Sequence, residues 1–361
     1  MITTPTLILD EEKCKANIKR MVDKANQNNI VLRPHFKTHQ SLEIGRWFKD
    51  IGVQKITASS LTMADYFSSE WDDITVAFPT NILEIEKIND LASRITLNLL
   101  VESEQTMTYL GKNANAELGI FIKIDVGTHR SGINPEKLTL INDLVDITER
   151  FPLLKFKGFL GHAGHTYHCR RASCIKEIHN ESQNIMTKLR SNFMNKYPNL
   201  IISLGDTPGC SIGDNFSGLD EIRPGNFVFY DLTQSSIGSN SNDQIAVAVA
   251  CPIVAIHEDR SEIVIYGGGV HFSKDRLENE PEGTIFGRVA KTLDKGWGNV
   301  IPGMYLKKVS QEHGILSVPK EEIKKYKIGD VLMVLPVHSC MTADLLKRYL
   351  TLDNRWISML K

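Results

Sequence analysis

No stretch of this sequence is long and apolar enough to cross a bilayer. The longest apolar run, residues 245–256, has 12 residues and contains Pro252, where a spanning helix needs about 20. The N-terminus, Met1-Ile2-Thr3-Thr4-Pro5, has no charged stretch leading into an apolar one, so no signal peptide is expected. An excess of either charge is also missing. There are 42 basic and 43 acidic residues, well mixed, and no basic stripe, which argues against a nucleic-acid partner. None of the six cysteines stands in a CxxC pair. Scattered thiols suit a reducing, cytoplasmic setting rather than a disulfide framework. No GxGxxG spacing occurs at a strand–helix turn, so a dinucleotide site is not expected. Internal repeats and low-complexity tracts are absent as well.

What the sequence has is alternation. After a first strand-like run at 6–9, eight more at 30–32, 55–58, 74–78, 95–101, 119–125, 156–160, 200–204 and 221–229 are separated, for the most part, by helical patterns. In the first helix Cys14, Ile18, Met21, Val22 and Ala25 share one face, with Asp10 placed to cap it. Eight strands with intervening helices predict an α/β chain folded as a (β/α)8 TIM-like barrel, with a doubly wound open sheet as the alternative. After Tyr230 the texture changes. A Ser/Asn/Gly-rich stretch at 234–243 reads as a boundary, and strands without convincing helices follow at 245–257, 262–266, 315–318 and 331–335. The expected division is a barrel over 1–234 and a β-rich C-terminal domain over 235–361, the first strand being able to join the second domain.

In such barrels chemistry collects at the C-terminal ends of the strands. The first of these ends carries Arg33-Pro34-His35-Phe36-Lys37-Thr38-His39-Gln40. A lysine flanked by an arginine and two histidines is pushed toward its neutral amine by like charge, and a neutral amine forms a Schiff base with an aldehyde cofactor. The loops after strands seven and eight are the usual phosphate site. They hold Gly205-Asp206-Thr207 and Arg223-Pro224-Gly225-Asn226, glycine turns that let N–H groups approach a phosphate, with the Thr207 hydroxyl as a further donor. Together these features point to pyridoxal 5'-phosphate. Arg130 is placed to bond the cofactor's phenolate oxygen. His162, His165, Tyr167 and His168 form a dense cluster able to flank the ring or carry protons. In the second domain His338 and Cys340 end a strand. Residues i and i+2 of an extended chain share a side, so this imidazole and thiolate can share a metal, zinc rather than magnesium.

Together these segments resemble a known family. They are Thr4-Pro5-Thr6-Leu7-Ile8-Leu9-Asp10, Arg33 to His39, Asp125-Val126-Gly127-Thr128-His129-Arg130-Ser131-Gly132, Gly161-His162-Ala163-Gly164-His165, Arg223 to Asp231, Glu312-His313-Gly314, and Pro336-Val337-His338-Ser339-Cys340. The chain resembles the fold type III pyridoxal phosphate enzymes of the D-serine dehydratase and D-threonine aldolase group, whose barrel is shared with alanine racemase. The resemblance implies that Lys37 carries the cofactor, and that His338 and Cys340 bind a divalent metal, zinc first and manganese or magnesium as alternatives. It also implies Arg130, His162, Tyr167, Thr207, Arg223, Gly225 and Asn226 as cofactor neighbours, Arg223 beside the ring nitrogen. A His-x-Cys pair is typical of the family's dehydratases and His-x-Asp of its aldolases. The implied activity is therefore conversion of D-serine or D-threonine to a 2-oxo acid and ammonia. Retro-aldol cleavage to glycine and an aldehyde, amino acid racemisation, and a non-catalytic cofactor carrier are the alternatives. The segment after the metal motif, Met341-Thr342-Ala343-Asp344-Leu345-Leu346, departs from the family's usual Pro-Thr-Val-Asn-Leu. A homodimer that shields the barrel mouth from water is the expected assembly, with small D-amino acids as the only other partners.

Overall fold

A computed structural model describes residues 2–361. The chain opens with β1 (Thr6–Leu9) and α1 (Glu11–Gln27), whose first turn is capped as expected: Lys13 N donates to Asp10 Oδ1 at 3.0 Å. It then divides into two compact units. One comprises residues 19–37 and 45–225, the other residues 2–18, 38–44 and 226–361.

The first unit is the barrel. Its strands are β2 (Val31–Leu32), β3 (Ile56–Ala58), β4 (Asp73–Pro79), β5 (Thr96–Val101), β6 (Leu118–Lys123), β7 (Leu154–Gly161), β8 (Ile201–Leu204) and β9 (Glu221–Ile222). Helices α2 (Leu42–Lys49), α3 (Leu61–Ser68), α4 (Ile85–Ala92), α5 (Glu104–Asn113), α6 (Leu138–Arg150), α7 (Ala172–Phe193) and α8 (Thr207–Ile212) alternate with them. All eight strands run parallel in the order β2-β9-β8-β7-β6-β5-β4-β3. Just past β2, Phe36 N–H donates to Thr57 O and Thr57 N–H to Pro34 O, each at 2.9 Å, joining the first strand to the second. These strands read as near-continuous apolar runs because both their faces are covered. Ile120, Phe121 and Ile122 are all at most 1 % exposed. The expected eighth strand, 221–229, stops at Ile222, because Pro224 has no N–H to offer a neighbour and the chain turns at Gly225 into a 3-10 turn, Asn226–Val228. In β7 a register shift against β6 is accommodated at Gly158 (φ +144°), where a Cβ would lie 2.0 Å from Ile201 O.

A polar cluster is buried within this barrel. The Arg33 guanidinium contacts Glu221 at 2.8 Å and Asp73 at 2.7 Å, and Asn98 donates to Asp73 at 2.9 Å. Arg33 and Glu221 are each 2 % exposed. Removing one partner strands a buried charge, which costs about 3–5 kcal/mol. Glu221→Ala is therefore expected to lower unfolding free energy by that amount in denaturant titration, with Arg33→Met/Glu221→Leu much less damaging. If the single and double variants lose equally, the pair is not acting as a charge pair.

The second unit is built on a nine-stranded sheet. It comprises β1, α9 (Leu232–Ser236), β10 (Val247–His257), β11 (Glu262–Tyr266), α10 (Gly269–Phe272), β12 (Leu277–Glu280), β13 (Gly283–Ile285), β14 (Gly287–Thr292), β15 (Trp297–Val309), β16 (His313–Ser317), α11 (Lys320–Ile323), β17 (Val331–Pro336), α12 (Ser339–Leu346), β18 (Arg348–Thr351) and β19 (Trp356–Ser358). The order is β11-β16-β15-β14-β17-β10-β1-β18-β19, with β12 and β13 paired separately. β1 lies antiparallel to β10 and parallel to β18. The 13-residue β15 is hidden in the sequence by Gly298, Pro302 and Gly303. It keeps its place through register shifts against both β14 and β16. No helix among the described residues is long and apolar enough to cross a membrane.

Candidate active site

In the barrel unit the site begins at Phe36. Its ring is fully buried against Phe48, Phe67 and Trp71, with centroids 5.0–5.2 Å apart, and this anchors the end of the first barrel strand. Lys37 follows it and is exposed. One residue earlier, His35 N–H donates to Pro224 O at 2.9 Å, which ties the loop after the last strand to the Lys37 segment. Arg33 does not bear on Lys37 as expected, since its charge is taken up by Glu221 and Asp73. The flanking histidines are uncharged. Burial, then the fields of Lys37 and Arg223, hold His35 well below the usual imidazole range, and burial takes His39 to about 3. The like-charge cluster read from the sequence is thus a single exposed lysine beside neutral rings.

The two glycine turns meet. Gly225 N–H donates to Thr207 Oγ1 at 3.3 Å, so the hydroxyl proton of buried Thr207 remains available to an anion. A Cβ on Gly205 would sit 2.7 Å from Arg223 N, so glycine there is what lets the turns approach. Thr207 opens α8 behind Asp206, whose carboxylate accepts from Gly209 N at 2.8 Å and from Thr166 Oγ1 at 2.7 Å. Arg223 is 4 % exposed. Its Nε donates to Ser203 Oγ at 2.9 Å and its Nη2 to the Gly161 carbonyl. Burial brings its pKa down to about 10, so it stays charged at neutral pH.

His162 Nδ1 lies 3.0 Å from the Gly205 carbonyl. A carbonyl only accepts, so Nδ1 carries the proton and Nε2 the lone pair. Burial, reinforced by Arg223, Lys37 and Arg130, takes this imidazole to about 3 despite the Gly205 bond. The rest of the histidine cluster disperses. His165 Nδ1 meets Thr128 Oγ1 at 3.2 Å, Tyr167 is half-buried on the 3-10 turn Gly164–His168, and His168 is exposed. Arg130 is exposed, yet its field reaches His35, His162 and Lys123.

Lys123 was missed in the sequence. It is 5 % exposed at the end of β6, donates to Ile124 O at 2.9 Å, and is lowered to about 8 by burial and then by Arg223. A lone lysine inside Ile120-Phe121-Ile122-Lys123-Ile124 was the available signal. The cysteines also differ from expectation. Cys169 and Cys174 form a disulfide, Cα–Cα 5.8 Å, across the turn between the Gly164–His168 segment and α7, while Cys14, Cys210, Cys251 and Cys340 stand outside any disulfide. Five residues of chain suffice to bring the pair together without any wider framework.

Two neutral histidines set a pH dependence, His39 fully buried and His162 partly so. His39 and His162 have folded pKa values of about 3, below their ordinary 6.5. The unfolded chain therefore binds more protons between those values. Stability is complete above about 6.5 and is lost as pH falls toward 3, by about 1.4 kcal/mol per pH unit for each group. Denaturant titrations between pH 4 and 7 should show this slope, and His39→Gln should reduce it by one proton. A flat profile would contradict the burial of both rings.

In the second unit β17 ends at Pro336 and α12 begins at Ser339. His338 is extended (φ −134°, ψ 97°), but Cys340 lies in the first helical turn. A strand–helix corner, rather than one face of a strand, brings the pair together. The His338 ring hydrogen-bonds Cys340, and its Nδ1 lies 2.6 Å from Asp275 Oδ2. Burial opposes the charged ring, but Asp275 and Cys340 outweigh it and raise its pKa to about 11. Around the sulfur, Thr38 Oγ1 lies at 3.2 Å, and Asn226 Nδ2 donates to it at 3.5 Å while also donating to Asp231 and Ser339. The Asn226 side chain thus belongs with the His338–Cys340 corner. Its Oδ1 is buried without a hydrogen-bond partner. No cluster of three or more metal-ligating side chains occurs among the described residues.

A (β/α)8 barrel with a lysine at a strand end, joined to a β-rich unit, is the architecture of alanine racemase-like enzymes. Residues 9–232, more than half of the chain, match the family described as "Alanine racemase, N-terminal domain", and the chain belongs to that family. Residues 246–352 match a "Putative serine dehydratase domain". The chain is similar to a D-serine dehydratase of Dictyostelium discoideum, 28% identical over 98% of this chain and 94% of that one. It is also similar to a D-threo-3-hydroxyaspartate dehydratase of Delftia sp. (strain HT23), 26% identical over 94% and 92%. The fold matches a solved D-threo-3-hydroxyaspartate dehydratase, a cysteine-to-alanine mutant in the metal-free form, with TM-score 0.92 and 23% identity over 99% and 98% of the two chains.

Proposed function

We propose that this protein is a pyridoxal phosphate- and metal-dependent lyase that converts D-β-hydroxy amino acids, D-serine and D-threonine foremost, to a 2-oxo acid and ammonia. The observation that carries this is the His338–Cys340 pair, a nitrogen and a sulfur donor at one corner, in a chain similar nearly end to end to a D-serine dehydratase.

The residues suit both groups. The cations Lys37, Arg130 and Arg223 all act on His35 and His162, and the two arginines also on Lys123, a field fit for a phosphate dianion and a phenolate. Where Thr207 meets Gly225, the Thr207 hydroxyl is left as a donor. At the other corner the donor set suits zinc, with positions left open beyond two protein ligands. The unpartnered Asn226 Oδ1 is an acceptor for a bound water or amine. One solved dehydratase form being described as metal-free supports a metal in that relative.

When bound, the cofactor supplies an electron sink and the divalent ion a Lewis acid for a departing hydroxide. Lys37 would hold the cofactor, and its amine, once freed by substrate, would take the α-proton as the β-hydroxyl leaves. Thr207 and Gly225 orient the phosphate. His162, fixed as the Nδ1–H tautomer by Gly205, presents Nε2 as an acceptor and stays neutral across the working range. Arg223, charged and pinned by Ser203 and Gly161, disfavours a proton on a nearby ring nitrogen. The test is product analysis from D-serine, D-threonine and alanine with and without a chelator. Pyruvate from D-serine, lost on chelation, is the expected result. Glycine as main product would make the enzyme an aldolase, and chelator-insensitive alanine racemisation would overturn the lyase.

A further inference from the structure

We propose that Asp275 is a positioning residue for His338: it holds the Nδ1–H tautomer and thereby commits Nε2 to the ion shared with Cys340. The inference rests on the metal site proposed above and adds a residue to it. Asp275 Oδ2 lies 2.6 Å from His338 Nδ1. An ionised carboxylate only accepts, so Nδ1 keeps its proton, and the proton a metal ion must displace is the one on Nε2. The backbone that carries this carboxylate is itself held: Asp275 N–H donates to Ser273 Oγ at 3.0 Å, in the turn that leaves α10. That turn is tied to the helix carrying Cys340, because Thr342 Oγ1 donates to Phe272 O at 3.4 Å. One small framework, α10 with its following turn and α12, thus fixes the carboxylate, the imidazole and the thiol relative to one another. Asp275 lies 63 residues from His338 in the chain, so no local motif announces it. Its side chain is about half exposed, 48 %. A partly solvated surface pair of this kind contributes little to stability, so its value lies in orientation. Carboxylates that receive the second ring N–H of a ligating histidine typically contribute about 10- to 100-fold in metal affinity.

The experiment is zinc affinity of the cofactor-loaded protein, read by competition with a chromophoric chelator, for the parent, Asp275→Ala, Asp275→Asn and His338→Ala. Thermal midpoints of the metal-free forms serve as the folding control. Asp275→Ala should weaken zinc binding about 10- to 100-fold with little change in midpoint. Asp275→Asn, whose Oδ1 still accepts from Nδ1–H, should recover part of that loss. If His338→Ala weakens binding and Asp275→Ala does not, the positioning role falls while the metal site stands. If Asn and Ala lose equally, the carboxylate acts as a ligand or a bare charge, and positioning is overturned. If His338→Ala leaves affinity unchanged, the metal site itself falls, and Asp275 with it.

Discussion

Lys37→Ala is expected to abolish covalent capture of pyridoxal phosphate and to reduce D-serine turnover by at least the roughly 10²- to 10⁴-fold attached to a positioned proton-transfer group. The parent protein should be yellow, and borohydride should fix the cofactor to the peptide containing Lys37. The rival is Lys123, the other lysine near the same cations, with a buried amine lowered to about 8. Lys123 is 5 % exposed and its amine is bonded to the Ile124 carbonyl, whereas Lys37 stands exposed at the end of the first barrel strand. Lys123→Met should therefore keep the reducible linkage. A borohydride adduct on Lys123 would overturn the assignment and the use made of the barrel mouth.

The barrel is legible in the sequence because strands covered on both faces are continuous apolar runs, and helices between them set the spacing. Even the cap at Asp10 is local chemistry. The eighth strand is cut short by Pro224, a residue visible in the sequence, but only the closing hydrogen bonds around His35 and Thr57 show where pairing ends. Charges are less legible than strands. Arg33 sits four residues before Lys37, yet its partners Glu221 and Asp73 are 188 and 40 residues away, so its effect on the lysine cannot be read from adjacency. The same holds for Lys123 and Asp275, whose surroundings come from distant segments. The His338–Cys340 spacing is legible as a donor pair, but the corner that joins them is set by the start of α12 rather than by strand alternation.

Cys340→Ala, like exhaustive chelation, is expected to remove dehydration while leaving the yellow cofactor linkage at Lys37 intact. Hydroxide is a poor leaving group, since water has a pKa of about 16, and a coordinated divalent ion brings that to about 7 in favourable sites. At about 1.4 kcal/mol per pKa unit the span is roughly 12 kcal/mol. If a third of it is felt at the transition state, about 4 kcal/mol, the loss is close to three orders of magnitude in rate. Cofactor capture should survive because the proposed linkage is to the Lys37 amine and not to the thiol. The thiol's own neighbours give a finer expectation. Thr38 and Asn226 are both within 3.5 Å of the sulfur, and an alanine leaves these polar groups without it. A modest loss of stability, about 1 kcal/mol, should accompany the loss of activity and be seen in the metal-free protein. Cys340→Asp should retain a harder metal site and shift product from pyruvate toward glycine. D-serine turnover that withstands chelation, with the ion shown by elemental analysis to have left, would make the metal dispensable and leave the barrel's own residues to account for the chemistry.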